Sequence, residues 1–132
     1  MFEAVLPASP ASCFNEFIDL RSARLWLPGL KKAKVVRSDE QCRALEVSYE
    51  FGESLSYALV YAYDEAAHRV RWVTSAGLQD GVSGSASFDV APGGCLFRYS
   101  LESLRGRAPS HEGDVAQAFA GWMRSRAVSP AT

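Results

Sequence analysis

The chain has no hydrophobic run approaching the roughly 18 apolar residues that a membrane span needs, so no span is expected. It has little net charge, −1 over 132 residues, and therefore no overall basic field that would recruit nucleic acid. Its three cysteines, Cys13, Cys42 and Cys95, are odd in number and lack metal-type spacing, which argues against both a disulfide framework and a zinc site. Reduced thiols in a cytoplasmic protein are the expectation. The start, Met1-Phe2-Glu3-Ala4, lacks the basic stretch and apolar core of a secretion signal. Solenoid-type repeats, low-complexity segments and phosphate-loop glycines are missing as well: no strand-to-helix transition follows Gly77, Gly81 or Gly84. No metal, nucleotide or flavin cofactor is expected.

What remains is an ordinary globular composition, 48% hydrophobic and 22% charged, at a length that suits one domain with one core. A single domain over residues 1–127 is expected, with a disordered tail from Val128 to Thr132. The dominant signal is period-two alternation from about Lys34 to Glu102, which sends every second side chain of a strand to one face. Leu45, Val47, Tyr49 and Phe51 share one face, opposite Ala44, Glu46, Ser48 and Glu50. The pattern recurs with Leu55, Tyr57, Leu59, Tyr61 and Tyr63, with Val70, Trp72 and Thr74, with Val82, Gly84, Ala86, Phe88 and Val90, and with Cys95, Phe97, Tyr99 and Leu101. One face is apolar and one polar, as in an antiparallel sheet covered on a single side. The connections (Ser38–Gln41, Gly52–Glu53, Asp64–Ala67, Gly77–Gly81 and Ala91–Gly94) are too short for parallel crossovers, so a meander is predicted.

Before the meander, Phe2–Leu6 reads as a short strand ended by Pro7. Ser9 can cap a helix with Pro10 at its first position, followed by an apolar stripe of Phe14, Phe17 and Ile18. Asp19 can cap a second short helix, which must stop before Pro28, leaving Leu25–Leu30 as an apolar bend. The run Lys31, Lys32, Lys34 is expected on a solvated edge. After the meander, Leu104–Gly113 reads as a polar loop. A helix over Asp114–Arg126 follows, with Val115, Phe119, Trp122 and Met123 on one face. Gly121 inside it costs roughly 1 kcal/mol relative to alanine; close approach to the sheet or a ligand would explain that cost, and so would plain tolerance.

This order of elements resembles the START-like superfamily, also called Bet v 1-like or SRPBCC, of polyketide cyclase/dehydrase and lipid-transport type. The motifs that carry the resemblance are loose: the Pro7-Ala8-Ser9-Pro10 helix start, the Trp26–Gly29 bend, Tyr63-Asp64 at a strand end, and the Gly93-Gly94 turn before Phe97 and Tyr99. The resemblance implies an α+β helix-grip fold, in which a curved antiparallel seven-stranded sheet wraps around a C-terminal helix, with two short helices between the first two strands. It also implies a cavity for a hydrophobic small molecule, a lipid, polyketide or isoprenoid-like compound, between sheet and C-terminal helix. The closing helix here is shorter than in many relatives, which implies a small or open-ended pocket.

Inward faces offer Trp26, Tyr49, Phe51, Tyr57, Tyr61, Trp72, Phe88, Phe97, Tyr99, Phe119, Trp122 and Met123 as ligand-binding candidates. The same rings could simply make a core. Buried tyrosine hydroxyls need polar partners, and a hydrated or ligand-filled cavity is one source of them. No Asp, Glu, Lys, Arg or His stands among these positions, so general acid–base catalysis has no candidate. His68 at a turn and His111 in the pre-helix loop read as surface residues. Asp89 and Arg98 fall on the polar face unless a bulge slips the register. Cys42 and Cys95 read as small structural residues. Three readings stay open: a carrier or sensor of a hydrophobic molecule; a cyclase, aromatase or dehydratase with Tyr49, Tyr57, Tyr61, Trp72 and Arg98 positioning the substrate; or a protein-interaction module with a vestigial cavity that docks through the Trp26–Leu30 bend or the exposed sheet surface. Leu96 and Val73 on the polar face leave room for a weak dimer; a monomer is the alternative.

Overall fold

A computed structural model describes residues 2–52, 55–75, 81–106 and 108–128. The chain runs β1 (Phe2–Leu6), α1 (Pro10–Ile18), α2 (Leu20–Trp26), β2 (Leu30–Ser38), β3 (Ala44–Phe51), β4 (Leu55–Asp64), β5 (Arg69–Thr74), β6 (Gly81–Ala91), β7 (Gly94–Arg105) and α3 (Ala108–Val128). The seven strands form one curved antiparallel sheet in the order β1-β7-β6-β5-β4-β3-β2. This is the helix-grip arrangement expected from the sequence. Of the expected turns and tail, Glu53, most of Gly77–Gly81 and residues 129–132 lie outside the described residues.

The helix starts follow from single side chains. Ser9 Oγ accepts from the Ser12 amide at 3.2 Å, and Pro10 opens α1 where its missing N–H costs nothing. Asp19 serves two helices at once. Its N–H donates to the Glu16 carbonyl at 3.3 Å and ends α1, while its Oδ1 accepts from the Arg21 amide at 2.9 Å and opens α2. With no linker between them, α1 and α2 form a bent pair of short helices. Gly29, at φ +70°, turns the chain out of α2, and its carbonyl accepts from the Gly52 amide at 2.9 Å.

Several element boundaries differ from expectation, among them the end of β7, which runs to Arg105 into the expected loop. β2 begins at Leu30, so Lys31, Lys32 and Lys34 sit on the sheet's edge strand, where exposed lysines discourage further strand pairing. The closing helix begins at Ala108, takes in most of the expected loop, and extends through Val128, the first residue of the expected tail; with 21 residues it is not the short helix anticipated. Pro109 is tolerated in the first turn, and the propensity cost of Gly113 is offset by burial of Val115, Ala116, Phe119, Ala120 and Met123 further along.

The alternation holds across the sheet. Val47, Tyr49, Phe51, Leu55, Tyr57, Leu59, Val70, Trp72, Val82, Ala86, Phe88, Cys95, Phe97 and Tyr99 are buried on the covered face. On the other face Arg98 pairs with Glu3 at 2.9 Å and Arg71 with Glu102 at 3.4 Å. The irregularity in β6–β7 lies between Ser83 and Gly84 and leaves Arg98 and Asp89 on the polar face. Val90 departs from the pattern: assigned inward, it is 86% exposed, next to the end of β6.

Candidate ligand cavity

α3 packs against β1, β6 and β7, and α1 against β6 and β7. That half of the interior is closed by rings in contact. Phe88 stacks on Phe97 with centroids 5.3 Å apart, and Phe119 meets Phe97 edge-on at 5.3 Å and Phe17 at 5.0 Å. The other half, over β3, β4 and β5, is faced on its helical side by the C-terminal end of α1 and by α2, which have only 9 and 7 residues. They do not fill it. A cavity of about 50 Å³ remains, lined by Phe17, Ile18, Leu20, Ala23, Trp26 and Leu27 from the helical pair and by Ala44, Val47, Tyr49, Phe51, Tyr57, Leu59, Tyr61, Tyr63 and Trp72 from the sheet. Among the described residues Val115 is the one from α3 that lines it.

The candidates therefore separate into two groups. Trp26, Tyr49, Phe51, Tyr57, Tyr61 and Trp72 line the cavity; Phe88, Phe97, Tyr99, Phe119, Trp122 and Met123 do not. Phe88, Phe97 and Phe119 belong to the closed half of the core, and Tyr99 packs on the Trp72 ring at 5.3 Å. Met123 is buried in that core, while the half-buried Trp122 donates from Nε1 to Glu16 Oε2 at 2.8 Å and ties α3 to α1. Alternation reports which face a residue takes; it carries no information on which half of that face a helix will seal. Phe17 and Ile18 of α1 were visible in an apolar stripe, but nothing in the spacing of α1 or α2 placed their residues against β3–β5. Ala44, assigned to the polar face, turns in at the start of β3 and lines the cavity.

Polar groups in the wall are few and mostly paired. The Tyr49 and Tyr61 hydroxyls share a hydrogen bond of 2.5 Å, and the Tyr63 hydroxyl donates to the Ala44 carbonyl. Burial pushes the Tyr63 phenol up to about 12, against the opposing pull of the Arg43 guanidinium, which lies 4.9 Å from the ring centroid. Two donors stand apart from this pairing: the indole N–H groups of Trp26 and Trp72 are buried and have no acceptor among the described residues.

Behind the wall is a residue the sequence reading left at the surface. His111 lies in the first turns of α3, half-buried, with its ring 4.0 Å from Phe51 and 6.3 Å from Tyr57. Burial lowers its imidazole pKa, partly countered by Asp114, and its Nε2 has no partner among the described residues. The signal was present: His111, Val115 and Phe119 recur at i, i+4 and i+8, one face of a helix. His68 is also half-buried, 5.8 Å from the Phe14 ring. Cys42, expected to be a packed residue, is exposed in a turn at φ 65°.

Among the described residues no Asp, Glu, Lys, Arg or His lines the cavity, so the wall they form supplies apolar surface, tyrosine hydroxyls and indole donors. Among the described residues no three His, Cys, Asp or Glu side chains gather as metal ligands would, and no helix is long and apolar enough to cross a membrane.

The fold is START-like. No family model matches the sequence, and no curated protein matches it. Solved structures do. A protein from Thermus thermophilus superposes with a TM-score of 0.76 at 16% identity, over 99% of this chain and 97% of that one. A START superfamily protein from Mycobacterium smegmatis gives 0.74 at 15%, covering 95% and 96%. The aromatase/cyclase Zhui from a Streptomyces species gives 0.73 at 9%, covering 98% and 95%. At these identities the likeness is one of fold.

Proposed function

We propose that this protein binds a hydrophobic small molecule, of lipid, polyketide or isoprenoid type, in the space between α1–α2 and β3–β5, as a carrier or sensor. The observation that carries this reading is the asymmetry of the interior: one half closes ring on ring, while the other leaves an aromatic-walled void. Fold relatives named for START and for aromatase/cyclase activity support it at the level of architecture. A single water needs about 10–15 Å³, so a void of about 50 Å³ holds a few waters at most. A larger ligand enters by displacing α2, which is short, buries only Ala23 and Trp26, and leaves Leu25 69% exposed; elements with so little buried surface open at low cost.

The cyclase reading is weaker. Its one cation, Arg98, is paired with Glu3 on the opposite face of the sheet. Binding is tested by titrating the protein with 1-anilinonaphthalene-8-sulfonate and following its fluorescence in the wild type and in Ala23→Leu, which fills the cavity from its helical side. Saturable binding at one site per chain, weakened about tenfold or more by Ala23→Leu, is expected. Overpacking by the leucine costs roughly 1–3 kcal/mol, so a thermal melt of the variant is run alongside. Absence of saturable binding, or equal binding by a folded Ala23→Leu variant, contradicts the proposal.

A further inference from the structure

The cavity's unpaired polarity has one sign. Trp26 from α2 and Trp72 from β5 approach it from opposite walls, with Phe17 between them at centroid distances of 6.0 and 6.1 Å. Both indole nitrogens are buried, and neither N–H reaches an acceptor among the described residues. Other polar groups of the wall bond among themselves and not to the indoles: one of the Tyr49 and Tyr61 hydroxyls donates to the other, and the Tyr63 hydroxyl donates to the Ala44 carbonyl. The third indole, Trp122, is by contrast bonded to Glu16. Native proteins seldom bury a donor without a partner, because the lost solvation is not recovered. Two such donors in the wall of one void ask for an acceptor inside it.

We infer that the ligand carries a hydrogen-bond acceptor, a ketone or ester carbonyl oxygen, which Trp26 and Trp72 read through their indole N–H groups. A pure hydrocarbon would leave both donors unpaired and bind more weakly than a carbonyl compound of the same shape. Trp26 and Trp72 thus act as specificity-determining residues rather than only as apolar wall. This inference rests on the binding site proposed above.

The test uses two probes of matched shape, cyclopentanone and methylenecyclopentane, which differ in whether the exocyclic group is an acceptor. With 15N-labelled wild-type protein, the three indole N–H resonances are followed during each titration, assigned by Trp→Phe variants taken one at a time. The expected result is ketone binding about tenfold or more tighter than the alkene. The Trp26 and Trp72 indole resonances should move downfield with a common saturation point while that of Trp122 stays in place. Equal affinity for both probes, with unmoved indoles, overturns the inference and leaves the binding site standing; a water held by the two indoles would give that result. Binding of neither probe overturns both the inference and the binding site.

Discussion

Burial holds the imidazole of His111 below its ordinary pKa of 6.5, against a smaller opposing effect of Asp114. The unfolded chain, with an unperturbed histidine, then binds the proton more readily than the folded one. The resulting stability is present above about pH 6.5, declines as pH falls through that value, and levels off once the lowered folded-state pKa is passed. Urea denaturation from pH 7.5 to 5 should show this decline, and His111→Phe, which keeps a ring against Phe51, should flatten it. An unchanged slope in the variant would place the pH dependence elsewhere. The cysteines give a second residue-scale prediction. Cys13 and Cys95 are buried with their thiols in hydrogen-bond contact, and burial raises both, Cys95 to about 12. Cys42 is exposed. An aromatic disulfide reagent at pH 8 should release one thiol equivalent quickly from native protein and three after denaturation; rapid release of more than one would contradict the burial of the pair.

The elements show what could be read from sequence and what could not. Alternation in β3 to β7 was legible because one face packs and the other is solvated, and the caps at Ser9 and Asp19 were legible because each needs one side chain at one offset. The start of α3 was not. Pro109 and Gly113 look like loop residues when the burial that outweighs them, at Val115 and Phe119, cannot be seen. Glycine gives opposite predictions at two element positions. At Gly121 an added Cβ meets nothing within 4 Å, which removes close approach as the reason for that glycine. Gly121→Ala should raise stability by about 1 kcal/mol, a gain of a few degrees in Tm. At Gly84 a Cβ would lie 2.3 Å from the Ser100 carbonyl oxygen and 3.2 Å from the Trp72 ring, beside the irregularity in β6–β7. Gly84→Ala should cost about 1–3 kcal/mol. Calorimetry of the two variants checks both signs.

At the scale of the whole molecule, the interior is divided by where the helices pack. The 21-residue α3 and the 9-residue α1 both close over β6 and β7, while the end of α1, the 7-residue α2 and Val115 of α3 line a void over β3–β5 that they do not fill. Phe88, Phe97 and Phe119, three of the expected lining residues, point inward as alternation requires, and inward there means against one another. The central claim is that an apolar molecule sits among Trp26, Tyr57 and Trp72. Intermolecular NOEs from saturating 1-anilinonaphthalene-8-sulfonate test it most directly. The account predicts cross-peaks to the rings of Trp26, Tyr57 and Trp72 and none to Phe88 or Phe97; cross-peaks confined to the exposed valines Val35, Val36, Val73 and Val90 would contradict it.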